Sequence, residues 1–265
     1  MTPNIAEVDD SAGLPESGDR FWDLYSTFYD AIYQLMPYRK LLWDTFQSLE
    51  LSDGMRVLDA GCGSGNFEYF IHTKDCPSVE IDAIDFSESM LSAASRKCRE
   101  LDNVSFSRHD LSQPLPFGDA TFDRIVTINV LYAVPDADFV VSELLRVLKP
   151  NGRLVITSPS PEFAVRVIVA DHFARLKNIW GLRRQVTAAI VTTTILVTRG
   201  MGGWFLNQFV INKREAAGEY NSLDGAALEA LLGRYAGDTL ASFDVSRALV
   251  DQNIFATGLK AATAA

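Results

Sequence analysis

The segment RVLDAGCGSGNFEYFI, Arg56–Ile71, runs from apolar residues into an aspartate and then places glycine at the alternate positions 61, 63 and 65. The apolar start predicts a short buried strand, RVLDA, and NFEYFIHT after the last glycine predicts a helix. Glycine permits positive φ and lets a ligand approach the backbone where a Cβ would collide. Three of them between a strand and a helix N-terminus mark a ligand lying across the start of that helix.

The spacing narrows the ligand. The dinucleotide fingerprint is G-x-G-x-x-G; here Asn66 stands at the place of its third glycine, and Gly65 comes one residue early. Asp59, just before the loop, would repel a pyrophosphate but can pair with a cationic group. Asp85 ends the next apolar run, VEIDAIDF, twenty residues after Gly65, where a carboxylate can accept both hydroxyls of a ribose. The implied ligand has a ribose and a positive charge but no phosphate, which disfavours a nicotinamide dehydrogenase.

Outward from this loop, short apolar runs alternate with helical patterns, the signature of βαβ units around a parallel sheet. The further strands are NVSFSRH, TFDRIVTIN and GRLVITS, and the helices between them are SESMLSAASRKCREL, capped by Ser87, and DADFVVSELLRVL. After Ser160 the alternation stops for over fifty residues, then resumes with the helix LDGAALEALLGRYAG and two strand-like runs, ASFDVSRALV and NIFATGLKA, expected to pair antiparallel at the sheet edge. Upstream, Phe21–Leu51 is aromatic-rich with apolar residues three and four apart, predicting two helices that meet near Pro37.

The 265 residues, 48% hydrophobic and 22% charged, describe one sizeable folded domain. A net charge of −10 speaks against a nucleic-acid partner, whose phosphates need clustered Lys and Arg. Cys62, Cys76 and Cys98 form no C-x-x-C pair, as expected of a reducing, cytoplasmic setting. The first twenty residues are acidic and polar, with no apolar stretch of the secretory kind, and are expected to be a mobile tail. No metal site is expected.

VLDAGCGSGNF resembles motif I of the class I S-adenosylmethionine-dependent methyltransferases, written E/D-x-G-x-G-x-G, and is most similar to the small-molecule and lipid or quinone branch. AIDFSESML resembles the segment in which the acidic residue, here Asp85, holds the ribose and Phe86 packs on the adenine, with Met90 alongside. RHDL resembles the motif whose aspartate, here Asp110, meets the adenine amino group beside Leu111. The resemblance implies that the backbone at Asn129, in FDRIVTINVLYAVPD, lies near the methionine moiety, and LLRVLKPNGRLVI resembles the helix, turn and fifth strand of the same fold.

The resemblance implies an α/β, Rossmann-like doubly wound, mainly parallel seven-stranded sheet with an antiparallel edge strand. It implies S-adenosylmethionine as cofactor and S-adenosylhomocysteine as product, held by Asp59, Gly61, Gly63, Gly65, Asp85, Phe86, Met90, Asp110, Leu111 and Asn129. The organisation expected is an acidic tail at 1–20, a helical lid at 21–51, the cofactor-binding core at 52–160, an inserted lid at 161–215 and a closing helix and strands at 216–265. In such enzymes an N-terminal helical segment folds over the cofactor, and YSTFYD is similar to it; Tyr25 and Tyr29, four apart, share one helix face and can meet a sulfonium through cation–π contact.

Methyl transfer from a sulfonium is an in-line displacement from an excellent leaving group, so much of the catalysis can come from alignment. A base is needed when the acceptor is an alcohol, phenol or acidic carbon. His172, in the inserted segment IVADHFARL, and Tyr132, just past the fourth strand, are the catalytic candidates. His109, beside Asp110, either shapes the cofactor pocket or ends a strand, and Cys62 is read as a small packing residue.

Residues 161–215 carry eight basic side chains against three acidic ones, +5, so the remainder carries −15. Arg184 and Arg199 bracket fourteen uncharged residues, fewer than the roughly twenty that a bilayer requires. This segment is expected to cover a hydrophobic small-molecule acceptor, a natural-product intermediate, quinone or lipid, with peripheral membrane contact as a further possibility. Two alternatives stay open: a membrane-surface lipid methyltransferase, and a protein of this fold that uses the bound sulfonium in a cyclisation or rearrangement without methyl transfer.

Overall fold

The computed structural model describes residues 30–74, 76–178, 181–195 and 223–262. Tyr25, Tyr29, the 1–20 tail and the 196–215 part of the insertion lie outside the described residues.

Seven strands form one sheet: β1 (Arg56–Ala60), β2 (Glu80–Asp85), β3 (Val104–Arg108), β4 (Phe122–Ile128), β5 (Leu148–Pro159), β6 (Leu240–Ala248) and β7 (Asn253–Lys260), in the order β3-β2-β1-β4-β5-β7-β6. The first five are parallel, with Val57 paired to Ile81 on one side and to Arg124 on the other. The expected antiparallel pair is present at the edge, and its arrangement is specific: β7, the later in sequence, runs antiparallel between β5 and β6, so β6 takes the outermost place. The order reverses between β1 and β4, the switch point at which doubly wound sheets open a crevice at their carboxyl ends.

The helices are α1 (Met36–Leu49), α2 (Asn66–His72), α3 (Glu88–Lys97), α4 (Ala137–Val147), α5 (Val165–Leu176), α6 (Leu182–Ile195) and α7 (Gly225–Gly233). Their starts follow the sequence: Ser87, Asp136 and Asp224 each accept a backbone N–H three residues on, satisfying a donor that the first turn leaves orphaned. Pro37 lies at the beginning of α1, after a 3-10 turn Asp30–Gln34, where its missing N–H costs nothing.

Helix α4 shows what holds the layers together. Val140, Val141, Leu144, Leu145 and Val147 are buried against Leu58, Ile125 and Leu154 of the sheet, each side chain contributing about 1.5–3 kcal/mol by leaving water. A second apolar layer, with Leu41, Leu42 and Leu49 of α1, Phe67 and Phe70 of α2 and Ile168 of α5, covers the other face. The insertion, read from sequence as lacking regular periodicity, contains two helices, α5 and α6. No described helix is long and apolar enough to cross a membrane.

Candidate functional site

The glycine loop is built by the exit from β1. Gly61 N–H and Cys62 N–H both donate to Ile84 O, at 2.8 and 3.0 Å, and tie the loop to β2. Gly61 has φ 87, and a Cβ there would lie 2.3 Å from Val130 Cγ2, so only glycine fits against the exit of β4. Gly65, with φ 72, is the N-cap of α2; a Cβ there would meet Ala94 Cβ at 3.0 Å, which lets α2 start tight against α3.

Asp85 holds the loop from the end of β2. Its Oδ2 accepts from Gly63 N–H at 2.9 Å and its Oδ1 from Ser87 N–H at 2.9 Å. These two backbone bonds orient the carboxylate at the end of β2. Phe86, half-buried, directly follows, and Met90 is buried on α3 with its N–H bonded to Ser87 Oγ. One strand further out, Asp110 Oδ1 accepts from Ser112 N–H at 2.9 Å, Leu111 is buried, and His109 N–H donates to Asp85 O at 3.0 Å. Burial holds the His109 imidazole below its usual pKa. Asp59, the glycines, Asp85 and Asp110 thus stand along the carboxyl ends of the neighbouring strands β1, β2 and β3.

Two acids lie beneath the loop. Asp59 is 1% exposed and Glu68, on the first turn of α2, is 0% exposed. Asp59 Oδ1 and both oxygens of Glu68 have no other partner among the described residues, and the two carboxyls hydrogen-bond each other when one of them holds a proton. Burial, then the facing charge of Glu68, pushes the Asp59 carboxyl well above the usual range, and burial also raises Glu68. Burial likewise drives the Cys62 thiol far above its ordinary value, which suits a packing residue.

The N-terminal segment is anchored to this loop. Lys97 Nζ donates to Asp30 Oδ1 at 2.7 Å, to Asn66 Oδ1 at 2.7 Å and to Ser64 Oγ at 3.2 Å, while Ser64 Oγ donates to Asp30 Oδ1 at 2.6 Å. Tyr33 and Tyr69 stack edge to face with centroids 5.8 Å apart. Lys97 is therefore committed to protein oxygens, and among the described residues the cradle offers glycine backbone and carboxylates. A ligand with ribose hydroxyls and a positive charge fits these groups.

Comparison with known proteins agrees. Residues 51–199 match the methyltransferase domain family. The chain belongs to that family. This methyltransferase is 32% identical over 186 residues to the ubiquinone/menaquinone biosynthesis C-methyltransferase UbiE of Geobacter sulfurreducens, covering 66% of the chain and 73% of that protein. It is 33% identical over 137 residues to the demethylmenaquinone methyltransferase of Halalkalibacterium halodurans, covering 50% of the chain and 56% of that relative's length. The S-adenosylmethionine-dependent methyltransferase of Aquifex aeolicus shares the fold, with a TM-score of 0.52 at 17% identity over 94% of this chain and 99% of that one.

On the other side of the switch point, the methyltransferase places Tyr132 half-buried on a 3-10 turn, Leu131–Ala133, directly after Val130. Asn129 leaves β4 with φ 57 and donates its backbone N–H to Thr157 O at 2.8 Å. His172 has a different part from the expected base. It is 2% exposed, and its Nδ1 accepts from Met36 N–H at 3.0 Å, joining α5 to the first turn of α1. The nitrogen that would take a proton is already occupied, and burial followed by the charge of Arg39 keeps the imidazole pKa low.

Glu68, Lys97 and Asp30 lie around the glycine loop and were not singled out by the motif reading. Glu68 had a signal, a carboxylate three residues past the last glycine in an otherwise apolar helix start. Lys97 and Asp30 had none, because they meet across 67 positions of sequence.

Proposed function

We propose that this methyltransferase binds S-adenosylmethionine across the glycine loop and transfers the methyl group to a hydrophobic acceptor of the quinol type. The observation that carries the acceptor class is the 186-residue similarity to a quinone C-methyltransferase; the cofactor reading rests on the cradle of Gly61, Gly63 and Gly65 facing Asp85.

In this reading Asp85 receives the ribose hydroxyls, Phe86, Met90 and Leu111 flank the adenine, Asp110 accepts from its amino group, and the Asp59–Glu68 pair offers negative charge to the ammonium of the methionine moiety. When bound, S-adenosylmethionine would supply a methyl group activated by a sulfonium that leaves as a neutral thioether. The chain supplies alignment and exclusion of water: the Asp30–Lys97 anchor brings the N-terminal segment onto the loop, and Tyr25 and Tyr29 precede it directly in sequence. Tyr132 meets the acceptor, whose ring carbon gains the methyl and gives up its hydrogen as a proton to solvent after product release. The exposed Val186 and Ile190, four apart on α6, suit contact with a lipid surface from which such an acceptor is drawn.

The test supplies purified protein with methyl-labelled S-adenosylmethionine and chemically reduced demethylmenaquinone. Label recovered in the organic phase as a carbon-methylated quinol, with S-adenosylhomocysteine formed in equal amount, supports the reading. Cofactor binding without any transfer to the quinol overturns the acceptor class.

A further inference from the structure

The two acids beneath the glycine loop pose a problem of charge. Asp59 on β1 and Glu68 on the first turn of α2 are 1% and 0% exposed, and Asp59 Oδ1 and both Glu68 oxygens reach no group of the described residues except the other acid. Two buried carboxylates within hydrogen-bond reach cannot both stay ionised at small cost, because each has lost its water and faces the other. A single proton between them removes one charge and makes the hydrogen bond that the pair otherwise lacks.

The neighbouring side chains do not replace that proton. From the end of β2 the Asp85 carboxylate adds negative charge to both acids. From α3 the charge of Lys97 acts on Glu68, but its Nζ is bonded to Asp30 of the 3-10 turn, to Ser64 and to Asn66. Cys62 in the loop and Cys98 at the end of α3 are thiols that burial keeps neutral. Glu68 also walls a cleft at the amino ends of β2 and β3, shared with Ile71, His72, Val79 and Asn103, and His72 there is exposed. A proton leaving the pair has a way to solvent on the side away from the glycine loop.

We propose that the Asp59–Glu68 pair makes the cofactor site selective for charge: it holds a proton while the site is empty, gives it up to solvent when a cationic ligand lies across the glycine loop, and so favours S-adenosylmethionine over S-adenosylhomocysteine. This rests on the cofactor reading above. The step is one proton exchange, in which the pair passes from one negative charge to two and the positive charge of the ligand offsets the second. S-adenosylhomocysteine lacks the sulfonium charge, offsets less, and displaces the proton less completely.

Calorimetry on the full chain counts the protons exchanged on binding when it is run at about pH 6.5, where the α-amino group of either ligand is charged, in phosphate and in imidazole, buffers whose ionisation enthalpies differ. S-adenosylmethionine is expected to release roughly 0.5–1 proton, and S-adenosylhomocysteine fewer. Between about pH 5.5 and 7 the affinity for S-adenosylmethionine should rise by up to about tenfold per pH unit, the slope of one displaced proton, and its margin over S-adenosylhomocysteine should widen. Glu68→Gln keeps the size of the side chain and a donor to Asp59 but removes the shared proton, so its proton release should fall to near zero and its affinity should lose this pH dependence. The ligands carry the same charges in both experiments, so the difference between the two proteins belongs to the pair. Binding of S-adenosylmethionine to the unaltered protein without proton release overturns the inference and needs no variant; so does a Glu68→Gln protein that releases as many protons. Failure of both ligands to bind the unaltered protein overturns the cofactor reading and this inference with it.

Discussion

Asp85 Oδ2 accepts the Gly63 N–H at 2.9 Å, so the carboxylate at the end of β2 holds the middle of the glycine loop from across the strand pair. One side chain thereby ties down the backbone surface and, in the proposed function, is the acceptor for the ribose hydroxyls. Asp85→Ala is expected to weaken S-adenosylhomocysteine binding by about 1.5–3 kcal/mol for each charge-assisted bond lost. Calorimetry on the variant checks this, and an unchanged dissociation constant removes Asp85 from the site.

Gly61→Ala places a Cβ 2.3 Å from Val130 Cγ2 and forces φ 87 on alanine. Overpacking and backbone strain each cost about 1–3 kcal/mol. The double variant Gly61→Ala/Val130→Ala relieves the first cost and keeps the second. Thermal melts of both should show partial recovery in the double variant; full recovery would mean that the positive φ carries no strain.

The first five strands and the glycine loop were legible because their causes are local, whereas the place of β7 between β5 and β6 was not. RVLDA, flanked by glycines, is a strand from Arg56 to Ala60, and Ser87 caps α3 through a bond spanning three residues. What escaped was set by distant contacts. His172 sits in a segment whose pattern suits an active-site base, but its partner is Met36 N–H, 136 positions away, and no local pattern encodes that pairing. Helices α5 and α6 were missed because their polar and apolar residues do not separate into two faces, as TTT within α6 illustrates.

Lys97 joins Asp30 to Ser64 and Asn66, so Lys97→Met should free the N-terminal segment from the loop while leaving the apolar core in place. The expected result is faster proteolytic cleavage near residue 30 and a severalfold rise in KM for S-adenosylmethionine. S-adenosylhomocysteine should slow the cleavage in the unaltered protein more than in the variant; equal protection in the two would show that the anchor has no part in binding.

The buried Asp59–Glu68 pair gives stability a pH dependence of known sign. In the unfolded chain both carboxyls ionise near about pH 4, while in the fold burial keeps a proton on the pair to higher pH. Above pH 4 the folded state therefore binds more protons than the unfolded one, and stability falls as pH rises through that window. Glu68→Gln should flatten the decline and raise Tm at pH 8 relative to the unaltered protein, with little difference at pH 4. Parallel melting curves across this range would contradict the shared proton.

His172 acts in the opposite direction. Its folded pKa lies below the ordinary value, so the joint between α1 and α5 is fully formed above about pH 6.5 and weakens as pH falls through the unfolded pKa. His172→Ala leaves Met36 N–H unpaired and should cost about 1–3 kcal/mol at pH 8. At pH 5 the penalty should shrink, which denaturant titrations at the two pH values will measure.

The placement of β7 between β5 and β6 has a consequence for the birth of the protein. Arg153 pairs with Leu259, and Lys260 Nζ reaches back to Leu145 O and Leu148 O, at 2.6 Å each. During synthesis β5 emerges about 100 residues before its neighbour, an interval of roughly 5–20 s at ribosomal speed. Throughout that interval the backbone of LVITS is an unprotected apolar edge, the kind of template on which nascent chains associate. That edge closes only when Asn253–Lys260 has been translated and pairs with β5.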